Sequence, residues 1–109
     1  MNEINVRNIM SKIPDYFRPE KAIGITAVIQ CIFTGKQASN WAVVIKDQVC
    51  EVNEKLANNP DLTIRADGET GVKLFTGDMD PMRAFLLGKV KVSGDLTLGM
   101  KLVNFFERP

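Results

Sequence analysis

The stretch that decides the fold runs from Leu74 to Asp95 and reads LFTGDMDPMRAFLLGKVKVSGD. It contains a strong helix start, because Asp80 suits the N-cap and Pro81 suits the first helical position. Glycines on either side of this start, Gly77 and Gly88, are typical of residues that end helices. The stretch therefore predicts two short helices, the first ending at Gly77 and the second at Gly88.

The residues after Gly88 change from helical spacing to alternation. Lys89–Ser93 alternates charged and apolar residues, which predicts a half-buried strand with Val90 and Val92 facing inward. Gly94 and Asp95 then supply a turn and an N-cap. We expect a last helix to follow from Leu96 to Phe106.

Upstream of this stretch, the pattern indicates one helix and then several strands. Apolar residues at helical spacing begin at Ile4, and Pro14 is expected to kink or end that helix near Ile13. Runs rich in β-branched residues then predict four strands, which are Ala22–Phe33, Trp41–Lys46, Val49–Asn53 and Leu62–Ala66. With 109 residues, the chain is expected to form one α+β domain over residues 1–109.

Composition excludes several partners and destinations. The net charge is +1, so no strong field favours nucleic acid as a partner. Met1–Met10 lacks the apolar core of a signal peptide, and the longest apolar run, Ala22–Phe33, is too short to span a bilayer as a helix. We therefore expect a soluble, cytoplasmic protein. Cys31 and Cys50 lie in apolar stretches and are expected to be reduced, buried thiols.

The chain carries few residues for catalysis. It has no histidine, which removes the commonest general base and metal ligand. Gly35-Lys36 and Gly88-Lys89 lack the other residues of a phosphate-binding P-loop. Asp78 is best interpreted as a loop residue beside the cap at Asp80. We expect no enzymatic activity, no cofactor and no bound metal.

The predicted last helix carries more apolar surface than one-sided packing requires. A helix on a sheet needs a stripe about 100° wide. This helix instead has seven large apolar residues, which are Leu96, Leu98, Met100, Leu102, Val103, Phe105 and Phe106. The excess must meet a partner chain, the core of a thick domain, or a ligand. From the pattern alone, ordinary core packing is the plainest of these interpretations.

The second half of the chain resembles the sterol carrier protein type 2 (non-specific lipid-transfer) domain family. The matching runs are Asp61-Leu62-Thr63-Ile64, Leu74–Pro81, Ala84–Asp95 and Gly99-Met100-Lys101-Leu102. The first half matches only in outline, as a helix followed by three antiparallel strands with Trp41 starting the second. The resemblance implies a five-stranded, mostly antiparallel sheet covered on one face by helices. It also implies an apolar cavity between sheet and helices for a fatty acid, acyl-CoA, prenyl lipid or sterol.

The residues that we expect to face this cavity and bind the ligand are large and mostly apolar. They are Trp41, Leu74, Phe75, Met79, Phe85, Leu86, Met100, Val103 and Phe106. Some relatives carry a polar Gln at the position of Val103. Its absence here predicts a drier cavity without a polar anchor for the ligand.

The sequence is therefore compatible with two functions. In the first, the domain binds and transfers a small hydrophobic ligand without catalysis. Five basic residues would then make a transient contact with a membrane surface, and they are Lys73, Arg83, Lys89, Lys91 and Lys101. A solvated basic face is the plainer interpretation of these residues. The alternative is a protein-interaction or dimerisation module that works with a separate lipid-metabolising enzyme. A monomer and a homodimer are both compatible with the pattern.

Overall fold

The computed structural model describes residues 4–107, in which four α-helices accompany five β-strands. The α-helices are α1 (Val6–Lys12), α2 (Gly68–Thr76), α3 (Pro81–Leu86) and α4 (Leu96–Leu102). The strands are β1 (Ala27–Thr34), β2 (Ser39–Lys46), β3 (Val49–Asn53), β4 (Leu62–Asp67) and β5 (Val90–Gly94). Short 3₁₀ turns cover Ile13–Tyr16, Pro19–Lys21 and Gly35–Gln37.

The five strands form one sheet in the order β3-β2-β1-β4-β5. Three of the four neighbouring pairs are antiparallel, and only β1 and β4 run parallel. In the centre, Ile29 of β1 pairs with Val43 of β2 on one side and Leu62 of β4 on the other. The predicted α+β class and mostly antiparallel sheet are confirmed.

The helices pack on one face of this sheet, which we call the inner face. Alternate residues of the strands, such as Ile29, Val43 and Leu62, enter one core cluster with Met10 of α1 and Leu98 of α4. Ile29, Ile45 and Leu62 are the largest fully buried side chains. Burying each of them contributes about 2–3 kcal/mol relative to leaving it exposed.

The opposite face of the sheet is crossed by the loop that joins β3 to β4. Gln30 points to this face and is buried. Its side-chain amide nitrogen donates to the carbonyl oxygens of Trp41 and Lys55 at 3.1 and 3.2 Å. Its amide oxygen accepts from the Ala57 N–H. The loop thus satisfies a buried polar side chain that would otherwise destabilise the sheet.

Most predicted boundaries are close to the observed ones, including both helix starts in the deciding stretch. The carboxylates of Asp80 and Asp95 cap α3 and α4 by accepting from the Arg83 and Leu98 N–H groups at 3.0 Å. Gly77 ends α2 in the left-handed region at φ 86°. The strand predicted for Lys89–Ser93 appears as β5, with Val90 and Val92 on the inner face.

Two predicted extents were wrong. The first strand begins at Ala27 and not at Ala22, because residues 22–25 form a turn. The Ile25 N–H closes this turn by donating a hydrogen bond to the Ala22 carbonyl at 3.1 Å. Gly24, with φ 76°, permits that turn. The last helix ends at Leu102 and not at Phe106. Its final residues leave the helix because Phe106 pairs with Phe17 in an antiparallel bridge.

Among residues 4–107, the longest helices are far shorter than a bilayer requires, and none of them qualifies as a membrane span.

Candidate functional site

An apolar cleft with a volume of about 210 Å³ lies between the inner face of the sheet and the helices. It is bounded by the sheet below, by α1 and the following 3₁₀ turn on one side, and by the ends of α2, α3 and α4. Its thirteen lining residues are Met10, Ile13, Tyr16, Ile29, Cys31, Val43, Leu74, Phe75, Pro81, Leu102, Val103, Phe106 and Glu107. Among these described residues, only Tyr16, Cys31 and Glu107 bring polar side-chain atoms.

Strand alternation builds the floor of the cleft. Ile29 and Cys31 are two apart on β1, so both point to the inner face, and Val43 lies opposite Ile29 in the register with β2. Burial in this apolar setting raises the pKa of the Cys31 thiol to about 12. The thiol is therefore neutral and behaves as an apolar part of the floor.

The end of α2 reaches the cleft because α2 approaches the sheet closely. A Cβ atom on Gly71 would stand 2.6 Å from Cε1 of Phe33, so only glycine permits this approach without a shift. The turn at Gly77 then reverses the chain, and the Met79 N–H donates to the Lys73 carbonyl at 3.1 Å. This reversal places Pro81 at the same cleft as the end of α2.

Aromatic contacts join the two sides of the cleft. The rings of Tyr16 and Phe75 meet edge to face with centroids 5.4 Å apart, linking the 3₁₀ turn to α2. A hydrogen bond holds the segment after α4 to the 3₁₀ turn at Ile13–Tyr16, because the Glu107 N–H donates to the Tyr16 carbonyl at 2.8 Å. The wall formed by Val103 and Phe106 is therefore anchored at its far end.

The structure brings four of the nine predicted ligand-binding residues to the cleft. They are Leu74, Phe75, Val103 and Phe106. Their contact with a ligand remains a prediction.

The other five predicted residues lie elsewhere. Trp41 is buried in the main core, where its Nε1–H donates to Ser39 Oγ at 2.8 Å and the Arg7 guanidinium lies 5.4 Å from its ring centroid. Met79 packs against the small cluster formed by Ala66, Ala84 and Val90. Phe85, Leu86 and Met100 are exposed and lie outside the lining, so the expectation that they face inward was wrong.

Sequence reasoning missed the N-terminal side of the cleft. Met10 and Ile13 are three residues apart, so helical spacing already placed them on one face, but no partner for that face could be identified. Tyr16 contacts Phe75 and also lines the cleft. The floor residues were visible only as the alternating inner positions of the predicted strands.

The arrangement suits the burial of an apolar group. Within residues 4–107, no cluster of three or more histidine, cysteine, aspartate or glutamate side chains is placed to hold a metal ion. Tyr16 and Glu107 are joined by a main-chain hydrogen bond outside the sheet, and the floor is apolar. The cleft can therefore exclude water from a hydrocarbon chain without a directional contact along most of its length.

Comparison with known proteins gives consistent matches. The chain is 32% identical to Hydroxysteroid dehydrogenase-like protein 2 of Xenopus tropicalis over 85 residues, covering 76% of this chain and 20% of that protein. It is 36% identical to Sterol carrier protein 2 of Homo sapiens over 75 residues, covering 69% of this chain and 14% of that protein. It therefore spans a fifth or less of the length of these relatives.

A solved structure of similar size shows the same fold. The solution structure of palmitated SCP2L2 from Aedes aegypti aligns with a TM-score of 0.69 and 25% sequence identity, covering 92% of each chain. The pattern that describes the SCP-2 sterol transfer family matches residues 10–107. The chain accordingly belongs to the SCP-2 sterol transfer family.

Proposed function

We propose that this domain binds the apolar part of a lipid-like ligand in the cleft, without catalysing a reaction on it. The family as a whole supports lipid binding or transfer in general. The observation that carries the proposal for this chain is the convergence of α1, α2, α3, α4 and the sheet on one apolar lining. The proposed ligand classes are fatty acid, acyl-CoA, prenyl lipid and sterol, and the proposed setting is the cytoplasm.

The size of the cleft bears on which ligand enters. Pockets for drug-sized ligands are usually about 300–1,000 Å³, and this cleft has about 210 Å³. A long chain therefore requires side chains to move, and the half-buried walls are the parts free to do so. Leu74 and Phe75 at the end of α2, and Val103 after α4, are less buried than Ile29 in the floor. The relative with palmitate in its name makes a fatty acid the first ligand to test.

The energetics fit a carrier of low specificity. Burying one methylene contributes about 0.8 kcal/mol, so about ten methylenes contribute about 8 kcal/mol before ordering costs. Micromolar affinity corresponds to about 8 kcal/mol. Affinity in this range depends on chain length more than on headgroup, because the floor offers no buried charge to recognise one.

We also propose a transient contact with a membrane surface through α3 and α4. Seven large apolar side chains are exposed between residues 82 and 103, and they are Met82, Phe85, Leu86, Leu87, Leu96, Met100 and Val103. Residues 81–103 also contain four basic side chains and one acidic one, Asp95, which caps α4. Exposed apolar residues among basic ones are typical of surfaces that meet anionic lipid.

The alternative role, an interaction or dimerisation module for a lipid-metabolising enzyme, would use the same exposed residues. Its support is that two relatives are several times longer than this domain. In that case the exposed apolar residues of α3 and α4 would become buried against protein.

Native mass spectrometry of freshly purified protein, followed by lipid extraction, tests the proposal. We expect a stoichiometric adduct that extracts as one of the four ligand classes, and displacement of a fluorescent fatty acid by palmitate. A clean monomer that fails to bind the fluorescent fatty acid would overturn the lipid-binding role. A clean dimer without ligand would instead support the interaction module.

A further inference from the structure

A second depression lies beside the apolar cleft and has a different chemistry. Its volume is about 430 Å³. Its polar lining consists of Arg18, Lys21, Lys101 and Asn104, which together we call the basic pocket. The end of α4 and the residues that follow it separate the pocket from the cleft, because Lys101 and Asn104 line the pocket while Leu102 and Val103 line the cleft.

Two hydrogen-bonded turns shape the basic pocket. The Lys21 N–H donates to the Arg18 carbonyl, and the Asn104 N–H donates to the Lys101 carbonyl, each at 3.0 Å. In such a turn, side chains three residues apart lie on the same side. The pocket is thus lined by two pairs of polar side chains, one from each turn.

A main-chain contact fixes the two turns relative to each other. The Arg18 N–H donates to the carbonyl oxygen of Phe105 at 2.7 Å, so the two chain segments are joined within the pocket itself. Phe105 is buried and forms part of the pocket wall. The polar side chains therefore project from a backbone that is held before any ligand arrives.

The basic pocket carries positive charge that is not neutralised by its own lining. Among residues 4–107, its lining contains three cationic side chains and no carboxylate. Arg18 forms a loose ion pair with Glu20, with 3.5 Å between Nε and Oε2. Within residues 4–107, the buried Arg18 Nε makes no hydrogen bond, and neither Lys21 nor Lys101 forms an ion pair.

Apolar residues complete the wall. Ile25 is half-buried, and Ile23 is 70% exposed although it lies beside the cationic side chains. A small inorganic anion would fill only a fraction of about 430 Å³ and would leave Ile23 in water. The pocket therefore suits an anion that carries an organic group.

We propose that the basic pocket binds the phosphate group of a phosphate ester, with its organic group against Ile23 and Ile25. Three cations match a dianionic phosphate better than a singly charged carboxylate, and the Asn104 amide supplies a neutral donor. The phosphate belongs either to a phospholipid headgroup or to a free phosphate ester. This site is separate from the cleft, so it stands or falls independently of the ligand proposed there.

The test is a titration with inorganic phosphate, with phenyl phosphate, and with phosphatidylcholine vesicles that contain or lack phosphatidic acid. The pocket variant is K21Q/K101Q. The control K36Q/K55Q removes the same charge outside the pocket. Lys36 lies in the turn after β1 and Lys55 in the loop after β3, and neither lines the pocket. Amide shifts in an NMR spectrum locate the binding, and light scattering measures vesicle binding.

We expect phenyl phosphate to bind more tightly than inorganic phosphate and to shift the amides of residues 18–25 and 101–105. The pocket variant should weaken this binding about tenfold or more, and the control less than about twofold. Phenyl phosphate binding with these effects assigns a free ester. Loss of binding in the pocket variant for phosphatidic acid vesicles alone assigns a headgroup if K21Q by itself also weakens that binding, because Lys21 lies outside the proposed membrane surface of α3 and α4. Equal loss in both variants, or no binding to any probe, would overturn the proposal.

Discussion

Phe17 and Phe106 form an antiparallel bridge, and their rings lie with centroids 5.6 Å apart at an interplanar angle of 55°. This pair joins the segment after α1 to the segment after α4. Phe106 also lines the apolar cleft, and its neighbour Phe105 lines the basic pocket. One contact between two distant parts of the chain therefore shapes both candidate sites.

Replacing Phe106 should destabilise the folded domain. We expect Phe106→Ala to lower the free energy of unfolding by about 2–3 kcal/mol, because it removes a half-buried ring and its partner contact. Urea denaturation measures this change. Phe85→Ala is the matched control, since Phe85 is exposed on α3, and it should cost less than about 1 kcal/mol. Equal losses in the two variants would mean that the bridge contributes little.

Filling the cleft should reduce lipid affinity without unfolding the domain. Val103 lines the cleft and is 51% exposed, so Val103→Trp places a larger side chain into the opening. We expect about tenfold weaker displacement of a fluorescent fatty acid. Val49→Trp is the control at a site 54% exposed on β3, outside the lining. If both variants bind the probe as well as the parent protein, the ligand does not pass Val103.

Two glycines in helices should respond in opposite directions to the same change. Gly71→Ala brings a Cβ atom to within 2.6 Å of the Phe33 ring, and the strain should cost about 1–3 kcal/mol before the helix-propensity gain is counted. Gly99→Ala meets nothing closer than 3.7 Å, so better helix propensity should add about 0.5–1 kcal/mol. Thermal denaturation of both variants measures the difference. A destabilised Gly99→Ala would show that α4 packs more tightly than described.

Alkaline pH should destabilise the domain through its thiols. Burial raises the pKa of Cys31 to about 12, and burial with the Glu51 charge raises that of Cys50 to about 11, from 9.0 in the unfolded chain. Above about pH 9 the unfolded thiols lose protons that the folded ones keep, so stability falls as pH rises. The slope is up to about 1.4 kcal/mol per pH unit for each thiol.

Urea denaturation at pH 8 and pH 10.5 checks this prediction. The difference in unfolding free energy between the two pH values should be smaller in Cys31→Ala than in the parent protein. An unchanged difference would mean that the Cys31 thiol does not cause the alkaline loss.

Membrane contact should depend on the exposed apolar residues of α3. Leu86 is 75% exposed there, and we expect Leu86→Ser to reduce binding to phosphatidylglycerol vesicles about threefold or more. Leu56→Ser is the control, because Leu56 is 68% exposed in the loop that follows β3. Sedimentation with vesicles measures the bound fraction. A loss in the Leu56 variant as large as in the Leu86 variant would contradict a specific surface.

The local sequence pattern predicted most helices and strands, but it did not predict where each of them ends. Asp80-Pro81 and Gly94-Asp95 predicted helix starts correctly, because caps are made by side chains within a few residues of one another. The end of α4 was placed four residues too late. Phe105 and Phe106 continue the helical spacing, and only the bridge to Phe17, 89 positions earlier, takes them out of the helix.

The lining of the cleft was also predicted only in part. The apolar lining from Leu74, Phe75, Val103 and Phe106 followed from sequence and family resemblance. The N-terminal side of the lining did not, because helical spacing shows that Met10 and Ile13 share a face without showing what that face meets.

By itself, the sequence determined the α+β class, the family, the five strands and the caps, since these depend on short-range patterns and an ordered set of motifs. Tertiary structure decided which apolar residues became buried. Phe85, Leu86 and Met100 have the same apolar chemistry as Leu74 and Phe75, yet they are exposed because no other element of the described chain, residues 4–107, covers their side of α3 and α4. It also brought Arg18 and Lys21 beside Lys101, because a hydrogen bond between distant backbones carries no signature in the sequence on either side.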